Sequence, residues 1–374
     1  MTISSIYKSL TICCLIICFG APILSAQYNF KTEKKISCTE VKSQDRTGTC
    51  WSFATASFLE SELIRMGHDN INLSEMFIVR NIYKDKAMNY VLRQGKANFS
   101  QGSLSHDLIR MTEKHGLITE DAYSGLVNGE IKHNHSEMEA GLKGFLDGIR
   151  TSKQLSTKWK PAFNSIIDAY MGAVPLQFKH DGKTYTPKSF VETTKLKTDN
   201  YISLGSFTHH PFYEEFILEI PDNYSNGSFY NVPLDEMVSI IDYAILAGYS
   251  IAWDGDVSEK GFSAKNGIAV LPEEDSRDDL FSIPGKELKV TQENRQANFE
   301  NYSTTDDHLM HLVGMALDQN GTKYYIIKNS WGEISDYKGY LYMSESFLKM
   351  KTISVMLHKN GLPSDSSKRL FESD

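Results

Sequence analysis

The chain has 374 residues, with 39 Lys and Arg against 47 Asp and Glu, and a formal net charge of -8. At 41% hydrophobic and 23% charged residues it has the composition of a folded globular protein, which excludes a disordered or collagen-like chain. An acidic chain lacks the clustered positive charge that phosphate backbones attract, so we do not expect nucleic acid as a partner.

The N-terminal residues indicate export. Lys8 precedes an uncharged apolar run over residues 10–24, and small residues follow it. This order is typical of a secretory signal peptide, which we predict over residues 1–26. The remaining residues, 27–374, are then a periplasmic or secreted protein with no membrane association.

Few cysteines remain once the signal peptide is removed. Bulky Ile17 and Phe19 flank Cys18, which argues against a lipoprotein site there. Cys38 and Cys50 stay in the mature chain. In an exported protein two cysteines can form one disulfide, or one can be a bystander and the other a working thiol.

Helical spacing of apolar residues dominates the first half of the chain. It predicts a helix over 51–66, a second that opens with Ser74 as N-cap, and a third over 105–115. The stretch 130–172 is also helical in pattern.

The second half has a different pattern. Residues 175–235 predict strands and loops, 233–247 a helix, and 255–305 a long polar excursion on the surface. Strands are predicted over 310–317, 323–328 and 339–343. Helices followed by a β-rich last third predict an α+β protein with two packed subdomains.

Cys50 is the first candidate for chemistry. It stands at the first turn of the predicted helix 51–66, where unpaired N–H groups and the positive end of the helix dipole favour a thiolate. Gly48 allows a close approach of the backbone. The Cys50 N–H and the Gln44 side-chain amide can together hold an oxyanion beside the sulfur.

A histidine and an asparagine follow late in the chain. His311 begins a predicted strand, and an imidazole there can take the thiol proton and later donate it to a leaving amine. Asn329 follows the next strand and can fix the imidazole tautomer, while Trp331 shields that hydrogen bond from water. His308, three residues earlier, is the alternative base. Each residue alone has a purely structural interpretation, and only the combination is specific.

Four segments together resemble the papain family of cysteine peptidases: 44–53, 73–75, 311–314 and 324–332. The long interval between Cys50 and the histidine, and the short lead-in before Cys50, resemble the bleomycin hydrolase and aminopeptidase C branch. The resemblance implies a papain-like fold with a helical part that carries Cys50 and a β-rich part, and an insertion over roughly 125–305.

The resemblance also implies the roles of the candidate residues. Cys50, His311 and Asn329 match the family's triad and Gln44 its oxyanion residue. His311 is preferred to His308 because the residues after it reproduce the family's spacing.

Two further positions are expected to bind substrate. Gly102 resembles the family's glycine whose backbone pairs with the substrate, and Trp331 lies beside the triad in sequence. A bridge between Cys38 and Cys50 would consume the nucleophile, so Cys38 is expected to be an inert thiol.

The sequence therefore predicts an exported cysteine peptidase that acts on peptides through a thioester, without a cofactor. Aminopeptidase action is implied by the resemblance alone, because the tail after Pro363 is shorter than the branch's usual one and is not expected to reach the cleft. An endopeptidase with an open cleft, an acyltransferase and a catalytically silent binding or assembly protein are the alternatives, and a homo-oligomer stays open.

No metal site is predicted. The pairs His133/His135 and His209/His210 lack a second ligand pair at a familiar spacing.

Overall fold

The computed structural model describes residues 27–68, 71–273 and 277–372, and the predicted signal peptide lies outside them. The helices of this part are α1 (Cys50–Arg65), α2 (Glu75–Leu92), α3 (Ser105–His115), α4 (Ser136–Arg150), α5 (Trp159–Met171), α6 (Pro187–Thr194), α7 (Leu234–Ala247), α8 (Gln292–Glu300), α9 (Glu345–Lys351) and α10 (Ser364–Phe371). Among these described helices none is long and apolar enough to cross a membrane.

The strands are β1 (Lys31–Lys35), β2 (Phe178–His180), β3 (Lys183–Tyr185), β4 (Tyr201–Gly205), β5 (Glu215–Ile217), β6 (Ser228–Asn231), β7 (Ile251–Gly255), β8 (Phe262–Ser263), β9 (Ile268–Ala269), β10 (His308–Leu317), β11 (Lys323–Lys328), β12 (Tyr340–Ser344) and β13 (Thr352–His358). In the described part, eleven of them form one sheet in the order β5-β6-β4-β13-β7-β10-β11-β12-β9-β8, with β1 paired to β10. β2 and β3 form a separate hairpin.

The helical part forms around α1. Nearly every residue of α1 is buried, Trp51, Phe58 and Leu63 completely. The helix can therefore not follow a simple amphipathic pattern, and it is stabilised by the apolar surface that it buries against α2, α3 and the sheet. The predicted cap of α2 is confirmed, because the Ser74 hydroxyl accepts a hydrogen bond from the Phe77 N–H at 3.1 Å.

The β-rich part has its own core, in which α7 packs against the sheet. β10 lies in the interior of the sheet and is antiparallel to both β7 and β11, with His311 opposite Lys328. Since α1 lies directly against β10, the start of α1 and the start of β10 come together at the junction of the two parts. The predicted α+β architecture of two packed parts is confirmed.

The prediction of a polar surface excursion over 255–305 is wrong in part. α8 begins there with a capping box at Thr291, and Arg295 is buried and donates hydrogen bonds to the carbonyl oxygens of Ser206 and Lys349. Polar composition concealed this helix because its core contact is made by a guanidinium whose Nε and Nη1 donate to backbone oxygens.

The segment 125–305, predicted as an insertion, also supplies central structure. β7 lies between β13 and β10 in the sheet. At the other end of the chain, α10 packs on α7: Ser366 and Arg369 donate hydrogen bonds to Glu236, and Phe371 contacts the Tyr230 ring.

Candidate active site

Cys50 opens α1 and is largely buried. Thr49 forms no side-chain cap hydrogen bond, so its hydroxyl does not occupy the free N–H groups of the first turn. The N–H groups of Trp51 and Leu309 direct hydrogen bonds at the sulfur. The Cys50 sulfur thus receives one donor from the first turn of α1 and one from β10.

Gln44 is fixed beside the cysteine by three contacts. Its Nε2 donates to the Thr47 carbonyl oxygen at 2.7 Å, its Oε1 accepts from the Ser330 hydroxyl at 2.6 Å, and its N–H donates to the Ser330 carbonyl oxygen. Nε2 has a second hydrogen, which is available to an oxyanion. Gln44 and Cys50 line the same cleft.

His308 is the histidine that contacts Asn329. Its Nε2 lies 2.8 Å from Asn329 Oδ1, which also accepts from the Ser330 N–H at 2.7 Å. A carbonyl oxygen only accepts, so Nε2 carries the hydrogen and Nδ1 is the basic nitrogen. The indole of Trp331 stacks on the imidazole with the ring centroids 4.6 Å apart, and His308 lines the cleft with Cys50.

The preference for His311 as the base is therefore corrected. His311 is fully buried, and its Nδ1 lies 2.8 Å from the Ser57 hydroxyl, which also accepts from the Lys328 ammonium. Ser57 lies two turns beyond Cys50, roughly 10 Å along the helix axis. Residues three apart on a strand point to opposite faces, so His308 and His311 cannot share one site.

Burial shapes the acid–base balance of the pair. It raises the pKa of the Cys50 thiol to about 12, with the N–H of Leu309 opposing and the carboxyl groups of Asp306 and Asp254 adding to the rise. Burial also lowers the pKa of His308, which the hydrogen bond with Asn329 opposes. The Cys50 thiolate is thus stable only beside a protonated His308, and this imidazolium forms when the thiol proton moves to the imidazole.

A cleft of about 500 Å³ runs over these groups, and Gly102 lies on its wall. A Cβ on Gly102 would lie 1.8 Å from Asp222 Oδ2. This close approach of a carboxylate explains why the position needs glycine. The loop is tied to the start of α1 by Gln101, whose Oε1 accepts from the Gly48 N–H at 2.7 Å.

Sequence reasoning missed the acidic side chains of the cleft. Glu139, Asp222, Asp306 and Asp307 all line it. Only Asp306 and Asp307 carried a signal, since they immediately precede His308. Asp222 comes from the loop between β5 and β6, which the sequence does not connect with Cys50.

A second cluster of ligand-type side chains lies away from the cleft. The Nε2 atoms of His209 and His210 both face Glu219, at 3.3 and 2.9 Å. Gln296 Oε1 accepts from the Thr208 N–H, so its Nε2 donates to His209 Nδ1. His209 Nε2 must then carry a hydrogen, which suits a hydrogen bond to Glu219 and leaves no lone pair for a metal.

Known protein families and relatives match this chain over most of its length. The family described as "Peptidase C1-like family" matches residues 177–374, and the family described as "Papain family cysteine protease" matches residues 24–182. Aminopeptidase G of Lactobacillus delbrueckii subsp. lactis is 23% identical over 93% of this chain and 89% of its own length. Aminopeptidase E of Lactobacillus helveticus is 24% identical over 94% of this chain and 89% of its own length.

The fold is also found among solved structures. The crystal structure of PepW from Lactobacillus rhamnosis HN001 superposes with a TM-score of 0.68 at 17% identity, covering 91% of this chain and 85% of that chain. The resemblance to the papain superfamily and to its aminopeptidase branch is confirmed by these matches.

Proposed function

This chain belongs to the peptidase C1-like family and is a cysteine peptidase, and from that premise we propose that it is an aminopeptidase that uses Cys50, His308 and Asn329. The observation that carries the catalytic assignment is the 2.8 Å contact of His308 Nε2 with Asn329 Oδ1, in a histidine that lines one cleft with Cys50. Similarity to aminopeptidases G and E along most of their length supports the exopeptidase mode.

In the proposed reaction the Cys50 proton moves to His308 Nδ1 as the sulfur attacks the peptide carbonyl. The oxyanion is held by the Cys50 N–H and by Gln44 Nε2. His308 then protonates the leaving amine, and a thioester remains on Cys50. Water that gives a proton to the same imidazole hydrolyses the thioester and restores the thiol.

Asn329 and Trp331 act on the imidazole. The Asn329 oxygen keeps the hydrogen on Nε2, so that Nδ1 is free to accept the thiol proton. The Trp331 ring covers one face of the imidazole and reduces competition from water for that hydrogen bond.

We also propose export, with cleavage after Ala26. The support is the order of Lys8, the uncharged apolar run and the small residues in the sequence. Sequencing the N-terminus of the protein recovered from outside the cytoplasm tests this proposal, which predicts a chain that starts at Gln27.

The peptidase proposal is tested with one peptide in two forms, with a free α-amine and N-acetylated, in reducing buffer. Mass spectrometry follows the products, and Cys50→Ser is the control. Stepwise loss of N-terminal residues from the free-amine form alone is the expected result. Internal cleavage of both forms would contradict the exopeptidase mode, and cleavage by Cys50→Ser would contradict the nucleophile.

A further inference from the structure

The cleft above Cys50 is acidic and lacks a basic partner. Four carboxylates line it, and no Lys or Arg among the described residues does so. Lys86 lies nearby, but it is fully buried and donates to the carbonyl oxygens of Ser100 and Gly102. The negative charge of the cleft is thus not neutralised by a cation at its surface.

Two of the four carboxylates are already engaged. Glu139 accepts a hydrogen bond from Gln101 Nε2 at 2.6 Å. Asp307 accepts from the Ser258 hydroxyl at 2.5 Å and from the Val257 N–H at 3.3 Å. These hydrogen bonds give both carboxylates a structural role within the protein.

Asp222 has one oxygen to spare. Its Oδ1 accepts from Asn98 Nδ2 at 2.9 Å and lies 3.4 Å from the Ser100 hydroxyl. Its Oδ2 lies against Gly102 and receives no hydrogen bond from the described residues. A fixed carboxylate with one open oxygen at the wall of the cleft is an acceptor prepared for a donor from outside the protein.

Asp306 lines the same cleft and comes from the loop between α8 and β10. It contacts the carboxyl group of Asp254, which is 1% exposed and whose Oδ1 has no donor among the described residues. Asp254 Oδ2 accepts from the Ser354 hydroxyl at 3.0 Å. Two touching carboxyl groups without a cation must share a proton or receive a positive charge.

The carboxylates share the cleft that an α-ammonium of the substrate must enter. In a peptide the α-nitrogen of the N-terminal residue is separated from its own carbonyl carbon by a single Cα, about 2.5 Å away. When that carbonyl lies over Cys50 Sγ, the ammonium must lie within the same cleft. Asp306 and Asp222 line this cleft together with Cys50, so both carboxylates face the space that the ammonium enters.

We propose that Asp222 and Asp306 bind the α-ammonium of the substrate and thereby limit the enzyme to the N-terminal residue. This inference rests on the proposed aminopeptidase function and assigns its specificity to two side chains of this chain. An internal peptide segment carries no positive charge at that point. When it binds, both carboxylates lose water without gaining a cation.

The test compares Asp222→Asn and Asp306→Asn with the unaltered protein. Each substitution keeps the shape of the side chain and removes its capacity to carry a negative charge. The substrates are one aminoacyl fluorogenic amide and its des-amino analogue, and kcat/KM is measured for both. Circular dichroism verifies that each variant is folded, and complete alkylation of Cys50 by iodoacetamide, a neutral reagent, verifies that its nucleophile is present.

Loss of a charge-assisted hydrogen bond should lower kcat/KM for the free-amine substrate by about tenfold or more in each variant, mainly through KM. The des-amino analogue, a poor substrate of the unaltered protein, should be unaffected or improved. Asp121→Asn, an exposed carboxylate outside the cleft, should change neither value.

The outcomes separate the two proposals. If the unaltered protein prefers the free amine and both variants keep that preference, the aminopeptidase function stands and the assignment to Asp222 and Asp306 is wrong. If the unaltered protein shows no preference, the aminopeptidase function itself is wrong, and the assignment fails with it.

Discussion

Gly102 shows how a single atom decides the identity of a residue in this site. The space that a Cβ would need is taken by Asp222 Oδ2, and Asp222 is held there by Asn98 and Ser100. The glycine is thus a consequence of the acidic cleft, in addition to any pairing with substrate.

Gly102→Ala should therefore displace the Asp222 carboxylate. We expect the free energy of unfolding to fall by about 1–3 kcal/mol, as in other overpacked sites, and kcat/KM for free-amine substrates to fall with it. Urea unfolding and steady-state kinetics measure the two effects.

Gly141→Ala is the matched control. Gly141 lies in α4 with nothing within 4 Å of an added Cβ. In a helix interior this change should leave stability unchanged or raise it by about 0.5–1 kcal/mol. Equal effects of the two substitutions would contradict the assigned role of Asp222 at Gly102.

Residue-scale reasoning from sequence proposed a cysteine, a histidine, an asparagine and a glutamine, and the structure corrects the position of the histidine. The residue types around Cys50, Gln44 and Asn329 carry their chemistry in the sequence. The choice between His308 and His311 depends on the register of β10 against β11 and on which face of the strand meets α1. Local spacing in the sequence shows neither the register nor the face. The predicted strand also began at residue 310, two residues after the observed start of β10.

At the scale of elements, the helices with sharp boundaries were predictable. α2 begins at a hydroxyl cap, and α3 ends at Gly116, which adopts a φ of 88°. These signals are local, so the sequence contains them. α8 was missed because it buries polar groups and its fit depends on distant backbone oxygens.

Ser74→Ala tests the cap of α2. The hydroxyl accepts from the Phe77 N–H and also donates to the Tyr123 carbonyl oxygen, so the substitution removes two buried hydrogen bonds. We expect a loss of about 1–2 kcal/mol in the free energy of unfolding. Ser136→Ala, at the exposed start of α4, should cost much less in the same urea titration. A loss below about 0.5 kcal/mol for Ser74→Ala would contradict the cap.

At the scale of the whole molecule, stability should depend on pH through buried carboxyl groups. Burial raises the pKa of Glu120 to about 8, with Glu75 adding to the rise and Lys42 opposing it. Burial likewise raises the pKa of Glu60. The folded protein retains these protons at pH values where the unfolded chain, with a pKa of about 4.3, has released them. Stability is then lost as pH rises towards 8.

Buried histidines act with the opposite sign and in another window. Burial lowers the pKa of His135 to about 4, so the unfolded chain binds a proton that the folded protein does not. That effect removes stability as pH falls below about 6.5 and is absent above it. Between pH 6.5 and 8 the buried carboxyl groups, and not His135, therefore determine how stability changes with pH.

We expect the Tm to fall between pH 6.5 and 8, and Glu120→Gln to flatten this fall. Glutamine keeps the shape of the side chain and cannot titrate. Calorimetry of both proteins at the two pH values measures the effect, with Glu137→Gln on the exposed surface of α4 as control. An equally steep fall in Glu120→Gln would contradict the role of this carboxyl group.

The acidic cleft exists only at the scale of the whole molecule. Asp222 reaches Gly102 from a loop that follows β5, and Asp254 reaches Asp306 from β7. These residues are far apart in the sequence, so no periodicity or motif in the sequence indicates that they meet. The fold class could be predicted because it rests on element order, whereas this site depends on how distant loops meet.

The assignment of the base is the central claim, and one measurement tests it most directly. His308→Asn and His311→Asn are compared for kcat/KM on a free-amine substrate and for the pH dependence of Cys50 alkylation by iodoacetamide, with circular dichroism as the check of folding. His308→Asn should lower kcat/KM by about 10²–10⁴, and its thiol should react only at alkaline pH, since burial then raises the pKa of Cys50 without an imidazolium to oppose it.

His311→Asn should keep both the activity per folded molecule and the alkylation profile of the unaltered protein, because His311 contacts Ser57 and not the cleft. The reverse result, with His308→Asn active and His311→Asn unreactive near neutral pH, would contradict the account.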